Sequence, residues 1–547
     1  MIKKDYKPRV FIIFVGFFFL FALILIRLYL IQIYRKAFFQ NLARQQHEIE
    51  LEINPPRAKI YDCNKVPLAL NKEMLSAFIL PAQFNEPEKI EKFLKKNYKN
   101  IYKKIKKDKN RKFLWLERKI SDNRTKWLKN FNLKDIHFVE EYQRFYPYPS
   151  TSTVIGFTNI DNEGIAGIEL EFNNRLAGIP TIISIKKDAR SGHYYFEKEI
   201  IQQGKKGLPV TLTIDKNLQF LVYNELKQSV EEFNAISGSV LIMNPETGEI
   251  LSMTNFPDFN PNERNIKNLG NTKNKIVTEC YELGSVVKAF SALASLQEEV
   301  TTPDEEIDCQ GKFGYINNFK VENWKPVGIL PFTDVVRYSS NVGIAKVVKR
   351  LGPKFYTHLR RLGFGDKTNI RFPGEREGFV NPPEKWSRSS LIVMSFGYEI
   401  MATLLQLGKA FSIIANGGYD IEPVLIKDPI KIQNTFRKKI YSDKAIKQTK
   451  KILETIGQRY NKELQDYKIM GKTGTARSVK DGKYSIKSHV YSFGGIVEKD
   501  DYKRVIVTFI KEPKGAGWWA SQITAPLFNR IAEKMIIHDL MNDQKVK

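Results

Sequence analysis

The hydrophobic pattern of the chain begins with one dominant feature near the N-terminus. Seventeen apolar or small residues, VFIIFVGFFFLFALILI, follow one another from Val10 to Ile26. After Arg27 the run continues as LYLIQI up to Ile33. A helix needs about 20 apolar residues to cross a bilayer core, and an arginine near its end can reach the interface. A cleaved secretory signal has a shorter apolar core of about 7–15 residues, so the pattern predicts an uncleaved membrane anchor over residues 10–33.

The residues in front of this run predict its orientation. Four basic residues lie within the first nine positions: Lys3, Lys4, Lys7 and Arg9. Because positive charge beside a membrane helix stays on the cytoplasmic side, we expect residues 1–9 to form a cytoplasmic tail. The bulk of the chain then lies in the periplasm or its extracytoplasmic equivalent, attached to the cytoplasmic (inner) membrane by a single pass.

Strand-like and helical patterns beyond the anchor predict two folded regions. Stretches such as EIELEI and HFVEEY predict a β-rich pedestal over residues 34–206. The segment GKKG at 204–207 then marks the boundary between this region and the next. After it, the hairpin GSVLIMN-PETG-EILSMTN and a helix that Asp215 can cap predict a mixed domain over residues 207–547. We expect the α/β class for this domain, with an α+β sheet that carries helices on both faces.

Charge changes the interpretation of one part of the pedestal. The chain has 87 Lys and Arg against 60 Asp and Glu, and the segment from Glu88 to Lys129 alone holds 17 basic and 5 acidic residues. Apolar residues recur at helical spacing in this insertion (88–130), which predicts one basic amphipathic helix followed by a short element around Phe113–Leu128. Two interpretations stay open: a merely solvated face, or attraction to an anionic envelope surface such as lipid headgroups or wall polymer. Export of the region argues against nucleic acid as a partner.

Composition also limits the chemistry. The three cysteines form no Cys-x-x-Cys pair, and the six histidines form no metal-binding pattern. We therefore expect neither a metal ion nor a cofactor. Any reaction has to come from ordinary side chains.

Two short motifs offer such chemistry. In GSVVKAF, Ser285 and Lys288 stand three residues apart at the start of an apolar helix, so the amine lies beside the hydroxyl. A serine needs an adjacent base to become a nucleophile, and a lysine can be that base when burial and a nearby cation keep it neutral. Ser339 and Asn341 form a Ser-x-Asn motif 54 residues after Ser285. Its hydroxyl can pass a proton, and its amide can hold the lysine and a substrate amide.

A third motif, Lys472-Thr473-Gly474-Thr475, begins 133 residues after Ser339. On a strand it supplies a second cation, hydroxyls for an anionic group, and a glycine that lets a substrate approach the backbone. The same three motifs, in this order, occur in penicillin-binding proteins and serine β-lactamases. Their combination favours a catalytic site.

Longer stretches extend this resemblance over nearly the whole exported chain. They include VTLTIDKNLQ, SVLIMNPETGEILSMTNFPDFNPN, LGFG, FPGE, SFGYE and IANGG, and earlier stretches around Arg57, Arg144 and Glu169. On these residues the chain resembles the class B penicillin-binding proteins, and SSNVGIAK followed by RLGFGDKTNIRFPGEREG is closer to their division-specific FtsI type than to the elongation type. The resemblance implies a penicillin-binding, serine β-lactamase-like fold for 207–547 and a dimerisation-type pedestal for 34–206.

The resemblance also implies a reaction, that of a serine-type D-Ala-D-Ala transpeptidase. Ser285 would attack the carbonyl between the two terminal D-alanines of a peptidoglycan stem peptide, with Lys288 as the base. Ser339 would deliver a proton to the departing D-alanine. The amine of a neighbouring stem peptide would then resolve the acyl-serine ester and complete the cross-link.

Binding groups and partners follow from the same resemblance. Lys472, Thr473 and Thr475 would hold the terminal carboxylate of the donor. Backbone N–H groups of Ser285 and Thr475 would form the oxyanion hole. β-Lactam antibiotics would inhibit the serine covalently, and a membrane-embedded glycan polymerase and other division proteins are the expected partners at the septum.

Three alternatives stay open. An elongation-type class B transpeptidase would share all three motifs. A membrane-anchored serine β-lactamase is disfavoured, because no Glu-x-x-Leu-Asn segment lies between Asn341 and Lys472 and such an enzyme needs neither an anchor nor a pedestal. A non-catalytic division scaffold is disfavoured by the intact Ser285, Lys288 and Ser339.

Overall fold

The computed structural model describes residues 7–39, 48–108, 111–187, 194–263, 265–427, 438–461, 464, 466–480, 483–515 and 519–546. The chain divides into two compact units, each assembled from separate segments. The first consists of Met1–Pro56, Met74–Glu141 and Gly178–Gly207, and the second of Arg57–Glu73, Tyr142–Ala177 and Leu208–Lys547. Since both units take segments from before residue 206, the boundary at 206/207 stays a prediction.

Strands occur along the whole folded part. In chain order they are β1 (Glu48–Ile53), β2 (Ile60–Tyr61), β3 (Pro67–Ile79), β4 (Leu114–Ile120), β5 (His137–Phe145), β6 (Thr181–Lys187), β7 (Tyr194–Gln202), β8 (Val210–Thr211), β9 (Ser237–Met243), β10 (Ile250–Phe256), β11 (Tyr281–Glu282), β12 (Glu306–Asp308), β13 (Phe313–Ile316), β14 (Phe319–Glu322), β15 (Ile329–Pro331), β16 (Phe379–Val380), β17 (Ile400–Ala402), β18 (Lys468–Lys480), β19 (Lys483–Lys499) and β20 (Tyr502–Lys511). The longest, β19, pairs with both β18 and β20.

Helices alternate with these strands. They are Lys7–Tyr29, Pro87–Asn97, Lys99–Lys107, Asp122–Lys129, Ser152–Ile155, Gly167–Glu171, Asn173–Ala177, Lys216–Glu232, Lys275–Thr278, Lys288–Gln297, Phe332–Arg337, Asn341–Lys349, Lys354–Arg361, Ser390–Met394, Leu404–Ala415, Asp443–Gly457 and Ala520–Val546. A 3₁₀ turn, Gly284–Val287, leads directly into the helix Lys288–Gln297.

The first element is the apolar helix expected as the membrane anchor. It is α-helical over Lys7–Tyr29 and continues as a π-helical turn over Leu30–Tyr34. The stretch Arg9–Tyr34 is long and apolar enough to cross a bilayer, and the structure buries none of its most apolar part. Exposed apolar surface of this length is consistent with a single-pass membrane anchor.

The folded part of the first unit combines small sheets with a helical layer. β1, β6 and β7 form an antiparallel sheet with β6 in the middle. The last part of β3 pairs with β4, and three helices pack against these two strands: Pro87–Asn97, Lys99–Lys107 and Asp122–Lys129. Their shared core consists of Ala77, Ile79, Ile90, Phe93, Leu94, Ile105, Leu116, Ile120, Leu128 and Ile136.

The basic insertion differs from its prediction in one respect. The pattern predicts one helix, whereas the structure has two, because Tyr98 leaves the helical conformation at φ −138° and ψ 59°. The Tyr98 hydroxyl donates to Glu117 at 2.5 Å and accepts from Arg124 at 3.0 Å, which ties the ring to a later part of the insertion. The element expected around Phe113–Leu128 is the strand β4 followed by the helix Asp122–Lys129.

The second unit is organised around an antiparallel sheet with the strand order β10-β9-β20-β19-β18. Successive side chains of a strand point to opposite faces. Val240 of β9 accordingly belongs to one apolar core and Leu241 to another. Helices cover both faces: Lys216–Glu232 and Ala520–Val546 on one, Lys288–Gln297 and Leu404–Ala415 on the other. The predicted fold, a sheet with helices on both faces, is confirmed.

Segments from the early part of the chain complete the second unit. Ile60 and Ile168 are fully buried in the same core as the helix that follows Ser285. The Glu169 carboxylate lies between two buried guanidinium groups, 2.5 Å from Arg57 Nε and 2.7 Å from Arg144 Nε. A buried carboxylate needs such partners, because removing either would leave charge unpaired in the interior.

Charged groups tie the last helix to the start of the helix Lys216–Glu232. Asp215 caps that helix, and its Oδ1 accepts two backbone N–H groups at 2.8 and 3.0 Å. His538 Nε2 lies 3.4 Å from Asp215 Oδ1, and His538 Nδ1 lies 3.2 Å from Asp539 Oδ1. Hydrogen bonds to the two carboxylates raise the pKa of His538 to about 9. Burial alone would raise the pKa of Asp215, but its hydrogen bonds with His538 and the backbone lower it to about 2.

Candidate active site

The first motif lies where an extended segment turns into the central helix of the second unit. Ser285 is in the 3₁₀ turn Gly284–Val287, and Lys288 is the first residue of the helix that follows. Gly284 has φ +57°, and a Cβ at this position would collide with the Thr475 carbonyl oxygen. Glycine alone tolerates both the conformation and the close approach, so the serine turn packs directly against the strand that carries the third motif.

The amine of Lys288 is the centre of the site. The side chain is fully buried. Its Nζ has four polar neighbours: Ser285 Oγ (3.1 Å), the Ser339 carbonyl oxygen (2.8 Å), Ser339 Oγ (3.0 Å) and Asn341 Oδ1 (2.6 Å). Burial, and after it the charge of Lys472, hold the pKa of Lys288 well below its ordinary value. This environment favours a neutral amine next to the serine hydroxyl.

Ser339 occupies a strained position between two helices. Phe332–Arg337 ends just before it, Asn341–Lys349 begins just after it, and its own φ is +58°. A non-glycine residue in this region costs about 1–3 kcal/mol, and such positions concentrate at functional sites. The conformation directs both the carbonyl and the hydroxyl of Ser339 to Lys288, and it leaves Ser339 Oγ 3.3 Å from Lys472 Nζ.

Lys472 supplies a second buried amine from the sheet. It lies on β18, the edge strand, opposite Gly494 of β19. The side chain is 1% exposed, and Nζ also donates to the Thr473 carbonyl oxygen at 3.2 Å. Burial, and after it the charge of Arg459, lower the pKa of Lys472 to about 7. Near neutral pH this lysine therefore gains or loses its proton readily.

The rest of the third motif follows on β18. A Cβ at Gly474 would lie 2.6 Å from the Leu283 carbonyl oxygen and 3.1 Å from Val286 Cβ, so a glycine is needed for β18 to pass the serine turn. Thr473 and Thr475 on either side of it are half-buried.

The structure thus brings the eight predicted site residues together. Five of them form one network of polar contacts no longer than 3.3 Å: Ser285, Lys288, Ser339, Asn341 and Lys472. The other three lie on β18 against the serine turn: Thr473, Gly474 and Thr475. Among the residues that the structure describes, no group of three or more His, Cys, Asp or Glu side chains could hold a metal ion.

One residue that shapes the site has no sequence motif. Asn323 is 1% exposed, and its Oδ1 accepts three hydrogen bonds, from Ser340 Oγ at 3.0 Å and from the backbone N–H groups of Asn341 and Val342 at 2.9 and 3.2 Å. Its Nδ2 donates to two backbone carbonyls of the segment 309–311, at 3.1 and 2.7 Å. Asn323 therefore fixes the backbone that carries the second motif. The local sequence VENW (321–324) contains no pattern that predicts this role.

The neighbours of Asn323 in sequence hold the same region. Asn341 Nδ2 donates to the Glu322 carbonyl oxygen at 2.7 Å, which fixes the amide so that Oδ1 faces the buried amine. The indole N–H of Trp324 donates to the Tyr338 carbonyl oxygen at 2.7 Å. Asn323 and Trp324 thus hold the backbone on the two sides of Ser339, and Glu322 holds the Asn341 side chain.

Comparison with known proteins assigns the family. Residues 238–533 match the penicillin binding protein transpeptidase domain, and residues 52–212 match the penicillin-binding protein dimerisation domain. The first match spans more than half of the chain. The chain belongs to the class B penicillin-binding proteins, as its motifs predict, and it is an enzyme with a serine-type transpeptidase domain.

Individual relatives agree with this assignment. The probable peptidoglycan D,D-transpeptidase PbpC of Pseudomonas aeruginosa is 30% identical over 515 residues, which cover 92% of this chain and 90% of that protein. The peptidoglycan D,D-transpeptidase FtsI of Buchnera aphidicola subsp. Baizongia pistaciae is 31% identical over 449 residues, 80% of this chain and 77% of that protein. Apo penicillin binding protein 3 from Mycobacterium tuberculosis shares the fold with a TM-score of 0.65 at 23% identity, over 89% of this chain and 97% of that one.

Proposed function

We propose that the chain cross-links peptidoglycan stem peptides as a D-Ala-D-Ala transpeptidase through an acyl-serine intermediate, and that β-lactam antibiotics inhibit it covalently. One observation carries this proposal. The fully buried Lys288 amine lies 3.1 Å from Ser285 Oγ, and the Ser339 hydroxyl lies between it and the Lys472 amine. Similar proteins named peptidoglycan D,D-transpeptidases support the substrate class.

The hydrogen-bond partners of Lys288 support its role as the base. A neutral amine has two N–H donors and one lone pair. The Ser339 carbonyl oxygen and Asn341 Oδ1 can only accept, so they take the two donors, at 2.8 and 2.6 Å. The lone pair then faces the two hydroxyls, Ser285 Oγ at 3.1 Å and Ser339 Oγ at 3.0 Å, and it takes the proton of Ser285 as Ser285 Oγ attacks the donor carbonyl carbon.

Ser339 gives the proton a path to the leaving group. Its Oγ lies 3.0 Å from Nζ of Lys288, the proposed base. When the C–N bond to the terminal D-alanine breaks, the proton passes from Lys288 through Ser339 to the departing amine, and the acyl group stays on Ser285. The amine of a second stem peptide then attacks the ester and returns its proton along the same path. A new peptide bond forms, and the Ser285 hydroxyl is restored.

The strand β18 provides the groups that would bind the donor. Lys472 and the hydroxyls of Thr473 and Thr475 offer charge and hydrogen bonds to the terminal carboxylate. Backbone N–H groups of Ser285 and Thr475 would stabilise the oxyanion of the tetrahedral intermediate. The tight packing of Gly284 on the Thr475 carbonyl supports this role, because it keeps the two backbone segments adjacent.

Labelling with a fluorescent penicillin tests the chemistry. Ser285→Ala should abolish covalent labelling. Ser295→Ala is the matched control, since it removes a buried hydroxyl from the helix that follows the serine turn. This hydroxyl donates to the Ser291 carbonyl oxygen of the same helix, and the variant should label normally. Label on Ser285→Ala would contradict Ser285 as the acylated residue. No label on the unmodified protein would leave a division scaffold. Rapid hydrolysis of the acyl-enzyme would point to a β-lactamase.

The proposed cellular setting is the division septum. Two observations support it: a relative named FtsI, and the resemblance of the sequences SSNVGIAK and RLGFGDKTNIRFPGEREG to the division-specific type. In this proposal, residues 1–9 are cytoplasmic, 10–33 span the inner membrane, and the pedestal (34–206) and the transpeptidase domain (207–547) are periplasmic, beside a membrane-embedded glycan polymerase and other division proteins. Depletion of the protein should then give filamentous cells. Round cells would instead identify an elongation-type class B transpeptidase.

A further inference from the structure

A strongly basic surface in the first unit has no part in the proposed reaction. It is formed by the helices Pro87–Asn97 and Lys99–Lys107, here called the basic helical pair. The apolar side chains of both helices face the core of the unit. The exposed side chains are mostly lysines: Lys89, Lys92, Lys95, Lys96, Lys99, Lys103, Lys104, Lys106 and Lys107.

The protein itself neutralises little of this charge. In the described ranges, Lys89 pairs with Glu86 at 3.0 Å, and none of the other eight lysines has a carboxylate oxygen within 4.0 Å. The helix Lys99–Lys107 has no acidic residue and places like charges one turn apart, as at Lys103 and Lys107. Such pairs destabilise a helix, and the dipoles at the helix ends offset only part of the repulsion. A partner that brings negative charge would remove the rest.

Aromatic rings border the lysines. Phe131 is 43% exposed, and its ring packs on Phe93 of the first helix with 4.8 Å between the centroids. Lys106 Nζ lies 5.7 Å from the centre of the Tyr102 ring. Tyr102 is half-buried, whereas Phe131 is exposed. A surface with both cations and accessible rings suits the headgroup layer of a membrane, where charge meets phosphate and rings reach the apolar boundary. A wall-bound polyanion would use only the charge.

The distance to the apolar N-terminal helix along the chain also favours a membrane. That helix ends at Tyr34, and β1 of the same unit begins at Glu48. An extended chain spans at most about 3.6 Å per residue, so this connection reaches about 50 Å at most. A tether of this length keeps the basic helical pair at a high effective concentration near the bilayer, and weak attraction at each lysine then suffices for binding.

We propose that the basic helical pair binds anionic phospholipid headgroups on the face of the membrane from which the folded part of the chain emerges. The contact would hold the first unit against the bilayer. It does not depend on the proposed transpeptidation, because none of the nine lysines belongs to the candidate active site.

Acetylation of lysines in the full chain tests this proposal. The protein is reconstituted in nanodiscs of phosphatidylcholine, with or without phosphatidylglycerol, and the acetylation rate of each lysine is followed by mass spectrometry. Lysines of the basic helical pair should react about fivefold more slowly in the anionic discs, the factor that attraction of one lysine to an anionic leaflet supplies. High salt should remove this protection. Lys447 and Lys451, exposed on the helix Asp443–Gly457, should react equally in both discs.

A charge-neutralised variant sharpens the test. Lys99→Gln, Lys103→Gln and Lys107→Gln together should abolish the lipid-dependent protection of Lys92 and Lys95 on the neighbouring helix. The matched control, Lys447→Gln with Lys451→Gln, should retain it. Normal labelling of both variants by fluorescent penicillin would show that they are folded, and it keeps this test separate from that of the reaction.

Two outcomes would overturn the proposal. One is equal acetylation of the basic helical pair in both kinds of disc. The other is protection by purified peptidoglycan or anionic wall polymer, added to phosphatidylcholine discs, without protection by phosphatidylglycerol. That second result would identify a wall polymer as the partner.

Discussion

The amines of Lys288 and Lys472 share the hydroxyl of Ser339, which lies 3.0 Å from the first Nζ and 3.3 Å from the second. Both lysines are almost fully buried. Two charged ammonium groups this close together repel each other in the interior, so the charge state of one sets the pKa of the other. A cation at Lys472 therefore helps to keep Lys288 neutral, which is the state that a base for Ser285 needs.

Replacement of Arg459 should change the pH dependence of acylation. Burial and the charge of Arg459 lower the pKa of Lys472 to about 7, so Arg459→Gln should raise that pKa. If charged Lys472 binds the donor carboxylate, the acylation rate constant falls as the pH rises through this pKa. The variant should therefore stay active to a higher pH than the unmodified protein, as measured by the second-order rate constant for acylation by a penicillin across the neutral and alkaline range.

A matched control exists for the loss of an arginine. Arg350 pairs with Glu305 at 2.8 Å, and Arg350→Gln should leave the pH profile unchanged. If the acylation rate constant of Arg459→Gln falls over the same alkaline pH range as that of the unmodified protein, the assignment of Lys472 to carboxylate binding is contradicted.

Removal of the Asn323 side chain should slow acylation far more than its effect on folding explains. Asn323→Ala deletes the hydrogen bonds that hold the backbone around Ser339 and Asn341. Because displacement of catalytic groups by about 1 Å can cost about 100-fold, we expect a loss of that order in the acylation rate constant. The rate constant is measured together with the thermal unfolding temperature.

Asn416 provides the comparison for this prediction. It is 7% exposed, and its amide holds another turn through Pro245 and Tyr419. Asn416→Ala should lower the unfolding temperature and leave the acylation rate constant of the folded protein unchanged. Equal rate losses in the two variants would show that Asn323 has only a general structural role.

A methyl group at Gly284 should disturb both stability and labelling. Gly284→Ala places Cβ against the Thr475 carbonyl oxygen and keeps a positive φ, so it should cost about 1–3 kcal/mol of unfolding free energy and reduce penicillin labelling. Gly328 has nothing within 4 Å of the same hypothetical Cβ. Gly328→Ala should stay within about 0.5 kcal/mol of the unmodified protein in chemical unfolding. Normal labelling of Gly284→Ala would argue against close packing of the serine turn on β18.

The contact of His538 with Asp215 should make stability depend on pH. The pKa of His538 is about 9 in the fold against an ordinary 6.5, so its stabilisation is complete below about 6.5 and is lost as the pH rises through about 9. The pKa of Asp215 is about 2 against an ordinary 3.8, so its stabilisation is present above about 3.8 and is lost as the pH falls through about 2. The unfolding temperature should thus be highest between these limits.

His538→Gln isolates the alkaline part of this dependence. The variant should unfold a few degrees lower than the unmodified protein near pH 6, and the difference should shrink as the pH passes about 9. His489, half-buried with its pKa lowered by burial and by Arg477, is the control, and His489→Gln should show no such convergence. A constant difference between His538→Gln and the unmodified protein at all pH values would rule out the charged contact.

The sequence predicts those parts of the candidate site that depend on residue type and on short spacing between residues. Ser285 and Lys288 are three residues apart, and the amine reaches the hydroxyl as local geometry requires. Asn323 could not be found in this way. Its hydrogen bonds join segments 12 to 19 residues away, and they depend on how the end of β14 folds against both the segment 309–311 and the second motif.

The fold shows the same limit. The hairpin of β9 and β10 and the cap at Asp215 follow from local sequence, and both are present. The sequence does not predict the break at Tyr98, because the apolar period continues through it and its cause is a contact with Glu117 and Arg124 further along the chain. Local rules predict elements well, but a tyrosine fixed by distant partners can divide one.

The core of the second unit decides where the chain can be cut. Ile60, Ile155 and Ile168 fill the same apolar interior as Leu293 of the helix after the serine. A truncation starting at Leu208 would remove the side chains of Ile60, Ile155 and Ile168 together. It would leave cavities in the core, and these cavities would lower the stability of the unit. A soluble, separately produced enzyme therefore has to retain the stretches 57–73 and 142–177. A chimaera that exchanges the pedestal for that of a relative has to keep both stretches from the protein that supplies the transpeptidase domain.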